Sequence, residues 1–337
     1  MIKNLLGSTP LKLGGLFVCL VLLLAGLIGS VIFGVVDTSW HVAIDAYTQF
    51  DGSNEHIVIR EVRVPRALIA GAVGASLAIA GALLQAMTRN PLADVGIFGI
   101  NAGASFAIVF GAAVFAMNSL GEFTTLSFIG AALSGVLVYF LGALGREGIT
   151  PLKLTLAGAA VTAMFSSFTH AILVTNEQAL NDVLFWLAGS VAGRKLEMLT
   201  GVFPYMLLAW IVAFLMARPI NTFMMGEDVA KGLGQRTVLV KALAGLLIVL
   251  LSACSVAVSG PIGFIGLVTP HLARYLIGSD TRWVLVYSGF LGAILLLFAD
   301  ILGRFIAMPG EVPIGVMTAL MGAPFFIYVV RKGLVRA

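Results

Sequence analysis

Long apolar runs separated by short polar breaks fill the chain from near its start to its end. They lie at about 13–36, 64–87, 95–117, 126–144, 152–174, 198–217, 238–258, 262–277, 284–302 and 314–330. At 1.5 Å per residue, some twenty residues of helix cross a hydrocarbon layer of roughly 30 Å, so each run predicts a membrane-spanning helix. The chain therefore reads as an all-α polytopic membrane protein with about ten transmembrane helices in a single domain, 1–337. The eighth run is short and broken by Pro261 and Pro270, which leaves its ends least defined. The first could pass for a signal peptide, but it is too long, no small-residue cleavage site closes it, and many spans follow.

The breaks carry their own pattern. Residues 37–60 are polar and acidic and read as an outer loop. In Asn176–Leu187, Leu180, Val183, Leu184 and Leu187 recur at i, i+3, i+4 and i+7, opposite Glu177, Gln178, Asn181 and Asp182. That spacing predicts a short amphipathic helix at the outer surface, with a plain polar loop as the competing reading. The longest inner break is 218–236. With the N-terminus inside, only Arg60, Arg63, Arg66, Arg194, Lys195 and Arg304 fall outside. The other 14 of the 20 lysines and arginines, Lys3, Lys12, Arg146 and Arg336 among them, are inner, as the positive-inside rule requires.

Composition narrows the function class. Hydrophobic residues make up 60% of the chain and charged ones 11%, with a mean hydropathy of +1.05, far from a soluble domain. The net charge of +4 is scattered over loops rather than gathered into a stripe, which argues against nucleic acid as a partner. Cys19 and Cys254 lie in separate apolar runs and read as small hydrophobes. There is no Gly-x-x-x-x-Gly-Lys-Ser/Thr loop for ATP, and His41, His56, His170 and His271 show no metal-ligand spacing, so neither an enzyme nor a metal site is expected. Asp300 sits inside an apolar run, where a carboxylate is a functional candidate by default, but Arg304 lies one turn further on and an ion pair is the alternative.

Several motifs concentrate the remaining polar residues. Arg63-Val-Pro-Arg66 opens the second run, which continues with Gly74, Leu77, Gly81 and Gln85 at fixed intervals and closes on Arg89-Asn-Pro-Leu-Ala-Asp94. Gly260-Pro-Ile-Gly-Phe-Ile-Gly-Leu-Val-Thr-Pro-His271 and Glu311-Val-Pro-Ile-Gly315 follow later. Together these resemble the FecCD/BtuC-like permease subunits of bacterial ABC importers for ferric siderophores, haem and cobalamin, along nearly the whole chain. Val95 and Phe98 stand where that family often has Pro and Leu.

The resemblance implies a type II importer permease in the bacterial cytoplasmic membrane, multi-pass in lipid, with both termini inside. No cofactor is expected on this chain. ATP and Mg would belong to a cytoplasmic ABC ATPase dimer, a second permease subunit would complete the pathway, and an extracytoplasmic binding protein would deliver a chelate, here expected to be a ferric siderophore. The fifth span would line the pathway, and Asn90, Leu92 and Thr150 would form the cytoplasmic gate. Gly226, Glu227, Asp228, Ala230 and Gly234, within 218–236, would form the coupling helix. Arg63, Arg66 and Arg304 would receive acidic residues of the binding protein at an outer rim, with headgroup anchoring, or neutralisation of Asp300 by Arg304, as the alternative. Arg194 is expected to matter less. An ion-gradient-driven secondary transporter is the competing class, and an intramembrane enzyme lacks a catalytic constellation.

Overall fold

A computed structural model of the protein describes residues 5–34, 38–117, 119–144, 150–308 and 310–334. Lys3, Arg146 and Arg336, counted above as inner, lie outside them. The described residues form helices α1 (Thr9–Ile32), α2 (Trp40–Thr48), α3 (Asn54–Val58), α4 (Val64–Thr88), α5 (Ile100–Phe115), α6 (Leu120–Ala143), α7 (Pro151–Thr175) and α8 (Glu177–Leu187). They continue with α9 (Leu196–Leu215), α10 (Ala217–Met224), α11 (Glu227–Gly232), α12 (Thr237–Ser259), α13 (Ile265–Ile277), α14 (Thr281–Ile306) and α15 (Ile314–Leu334), and contain no strand.

Each of the ten apolar runs contains a helix among the described residues, and seven of the helices are long and apolar enough to cross a bilayer. The amphipathic stretch is α8. The outer segment at 37–60 is not the loop its polarity suggests. Ser39 and Ser53 accept from the backbone N–H groups of Val42 and His56 and start two short helices, because hydroxyl side chains satisfy the first free donors of a helix. The second of these runs through a π-helical turn, Ile59–Arg63, straight into α4.

α4 is the axis of the fold, packed against α14, α12 and α13. Two of these crossings are backbone to backbone. A Cβ added to Gly74 would sit 2.3 Å from the Gly292 carbonyl on α14, and one on Gly81 would sit 2.1 Å from that of Gly266 on α13. Lipid supplies no hydrophobic drive between helices, so such close approach is what holds them. The eighth element is shorter than its run: α13 has 13 residues, or about 20 Å of helix. It starts beside Gly81, well inside the span of α4, after an extended stretch whose last residue, Phe264, has φ 68°. The Asp94 carboxylate reaches that start and accepts from the Phe264 N–H at 3.2 Å.

A second group, α5, α6 and α7, packs on α12. α7 leaves most of its surface uncovered within the chain, including Leu152, Leu156, Phe168 and Val174.

Candidate functional site

One end of the bundle gathers the three arginines expected at an outer rim, but as a buried network. Arg63, Arg66 and Arg304 are 5%, 8% and 2% exposed. Arg66 donates through Nε and Nη2 to Asp300, at 3.0 and 2.8 Å, and through Nη1 to Glu311 at 2.8 Å. Arg304 donates to Asp300, as the i, i+4 spacing predicts, and also to the Ser30 and Phe33 carbonyls at 2.7 and 2.6 Å. Arg63 donates to the carbonyls of Val31 and Ile32, at 2.9 and 2.8 Å, and to Thr38. Those carbonyls belong to the last turn of α1 and its cap, which have no helical partner, so two guanidinium groups finish that helix. Two of these cations, Arg66 and Arg304, meet two carboxylates, of which Asp300 is 2% exposed and the Glu311 side chain about one third. The spacing Arg63 to Arg66 placed both on one face, but could not show that the face is covered.

At the opposite end, the one expected to be inner, α10 and α11 form the expected short helical segment. Gly226 precedes α11 with φ 134°, and Gly234 follows it with φ 79°. Glu227 does not point away from the chain. Its carboxylate pairs with Lys241 of α12 at 2.7 Å and with Lys231 at 3.2 Å. The hydrogen bond from Lys241, followed by that from Lys231, holds its pKa below the ordinary glutamate value. Ala230 is fully buried, whereas Asp228 is exposed. What the segment offers outward is a row that the sequence reading passed over: Met225, Val229 and Leu233, 68%, 47% and 67% exposed at intervals of four residues. The signal was there as apolar residues at helical spacing in an otherwise polar break.

The expected gate residues do not all meet. Asn90 is exposed and accepts from the Leu92 N–H at 2.9 Å, closing a tight turn after Arg89, whose φ is 50°. Thr150 caps α7 by accepting from Lys153 N–H. A cavity of about 130 Å³ joins Thr150 to Arg89, Phe223, Glu227 and Lys241, but neither Asn90 nor Leu92 lines it. Arg89 instead lies over the Phe223 ring and donates to its carbonyl at 2.8 Å. The contact between the end of α4 and the α10–α11 segment therefore runs through Arg89 and Phe223.

Two polar residues of the sequence motifs, Gln85 and Asp94, find their partners only in the fold. Gln85 donates to the carbonyls of Ala93 and Gly266, at 3.2 and 3.1 Å, and accepts from Arg274, tying α4 to both ends of α13. Asp94 caps α13. Among the described residues no group of three His, Cys, Asp or Glu side chains could hold a metal.

A membrane bundle with a capped charge network at one end and a short helical segment at the other has well-studied counterparts. Residues 21–332 match the model of the FecCD transport family. The "Probable siderophore transport system permease protein YfiZ" of Bacillus subtilis is 54% identical, over 94% of this chain and 95% of its own length. The ferric enterobactin transport system permease protein FepD of Escherichia coli is 40% identical, over 93% of both chains. Among solved structures, a metal-chelate type ABC transporter in an inward-facing conformation superposes with a TM-score of 0.83 at 32% identity, covering 95% of this chain and 99% of that one. Matched along almost its whole length in both sequence and fold, this chain belongs to the FecCD transport family.

Proposed function

We propose that the protein is the membrane-spanning permease of an ATP-driven ABC importer that translocates an iron–siderophore chelate delivered by an extracytoplasmic binding protein. Siderophore, enterobactin and ferric citrate systems are named for its relatives, and iron chelates are accordingly favoured over haem and cobalamin. The observation that carries the reading is the inner segment: a helix outside the long spans that exposes Met225, Val229 and Leu233 while its charged residue Glu227 is held by its own chain. An apolar row framed by charges suits a groove on another protein, and an ATPase in that position is the motor the chain lacks. Arg89 and Phe223 would carry its movement to the inner cavity beside Thr150. A second permease against the uncovered face of α7 would complete the pathway, with the termini in the cytoplasm.

At the outer end, an acidic side chain of the binding protein would exchange with Glu311 for Arg66, since Glu311 is the only exposed carboxylate of that network. Arg63 and Arg304 would hold the platform from beneath. Coupling to an ion gradient is disfavoured by the network itself, because Asp300 is shared by two arginines and lies at the outer end.

The test is uptake of an iron–siderophore chelate by proteoliposomes containing permease, ATPase and binding protein. Uptake is expected to need ATP and to survive a protonophore. Uptake driven by an imposed pH gradient without ATP would overturn the reading.

A further inference from the structure

Beside the Arg66–Glu311 pair the outer face holds a cavity of about 430 Å³. Phe123 of α6, Trp186 of α8 and Arg194 from the loop before α9 form its walls, together with residues 311–314. From sequence alone, Arg194 is the outer arginine expected to matter least. It is 5% exposed. Its Nε donates to the Ser190 carbonyl at 3.2 Å, its Nη1 has no acceptor, and among the described residues no carboxylate pairs with it. Trp186, 3% exposed on the same cavity, likewise has an indole N–H without an acceptor.

A buried cation without a counter-ion and a buried donor without an acceptor are both costly, and the side chains that carry them both line one cavity. Burial alone draws the Arg194 pKa down to about 10, which still leaves it charged at neutral pH. The outer arginines 63, 66 and 304 have their needs met inside the chain. Arg194 does not.

We propose that this cavity is a carboxylate-binding site, with the Arg194 guanidinium as its cation and the Trp186 indole N–H as a second donor. The planar fork of arginine matches two carboxylate oxygens, and the apolar wall around Phe123 shields the pair from water. A single negative charge is the right complement. Arg66 and Arg304 are balanced by Asp300 and Glu311, so Arg194 leaves one positive charge, and the Glu311 carboxylate repels a dianion such as phosphate. The carboxylate comes from the outer side, on the chelate or on an acidic side chain of the protein that delivers it. The site thus rests on the proposed reading that this face receives cargo.

The test uses the full-length chain in lipid nanodiscs with acetate as probe, titrated against chloride at constant ionic strength and read by tryptophan emission. A saturable change is expected in the wild type. It should vanish in Trp186→Phe, which removes the reporter and donor. Arg194→Gln should weaken affinity roughly tenfold or more, the worth of one charge-assisted hydrogen bond. Arg194→Lys, which keeps the charge and loses the fork, should fall between, and it decides the matter if the glutamine variant does not fold. Repeating the titration with cargo-free binding protein docked distinguishes the sources. Acetate excluded by that protein identifies its side chain as the natural carboxylate, and acetate still bound identifies the chelate. No saturable signal in the wild type, or equal affinity in all Arg194 variants, overturns the site. Normal ATP-dependent uptake beside such a result overturns the site alone, whereas acetate binding without ATP-dependent uptake overturns the transport reading alone.

Discussion

Replacing Asp300 tests whether the outer network is structural. Its carboxylate takes bonds from Arg66 Nε and Nη2 and from Arg304, with both partners and itself almost without solvent. In Asp300→Asn one oxygen remains as acceptor, but the charge balance moves from two cations, Arg66 and Arg304, against two anions to two against one. A hydrogen bond to a charged group is worth about 1.5–3 kcal/mol, and breaking a buried ion pair costs about 3–5 kcal/mol. The two figures describe the same loss and do not add, so about 3 kcal/mol is expected, and more for Asp300→Leu, which keeps no acceptor. Thermal unfolding of the purified chain in lipid nanodiscs, followed by tryptophan emission, should show a drop of several degrees. Asp51→Asn is the comparison, because Asp51 pairs with His56 from an exposed position and should leave the transition almost unmoved. A double variant, Asp300→Leu with Arg304→Met, should recover part of the loss by removing one orphaned charge. Asp300→Asn melting together with wild type would refute the reasoning.

Gly81→Ala should abolish recovery of folded protein in size-exclusion profiles, since its Cβ would meet the Gly266 backbone, whereas Gly121→Ala, with nothing within 4 Å, should be recovered normally. Leu233→Glu should lower co-purification of the ATPase while the melting of the permease is unchanged; equal co-purification would remove the apolar row from that interface. The Glu227 pKa is lowered in the folded chain. Its contribution is therefore complete above the free value of 4.5 and lost as pH falls through the folded value. Amide protection in α11, taken relative to the intrinsic exchange rate at each pH, should be steady from about pH 6 to 8 and fall only in acid, and Glu227→Gln should remove that acid response.

The chain declares its helices because a bilayer imposes one length on every apolar run, and α1, α4, α6, α7, α9, α12 and α14 comply. α13 does not. Its 13 residues start beside Gly81, where Asp94, 170 residues earlier, accepts from the Phe264 N–H just ahead of the helix, and no local pattern predicts a partner that distant. The site was legible in the same measure. Spacing grouped Arg63 with Arg66 and Asp300 with Arg304, but whether such a face meets water depends on where the end of α1 comes to rest. Arg194 was passed over for the converse reason. Its meaning lies in the carboxylate it lacks, and an absence has no sequence motif.

The distance between Arg66 and Asp300 along the chain also bears on biogenesis. The two are 234 residues apart, so during synthesis Arg66 waits without its carboxylate until α14 emerges, whereas Arg63 can close on the α1 carbonyls as soon as α4 packs. Only the arrival of α14 completes the end of α1, through Arg304 on the Ser30 and Phe33 carbonyls. The first helix made is thus among the last to be completed, and a chain cut short before α14 carries a half-finished first helix and a stranded Arg66.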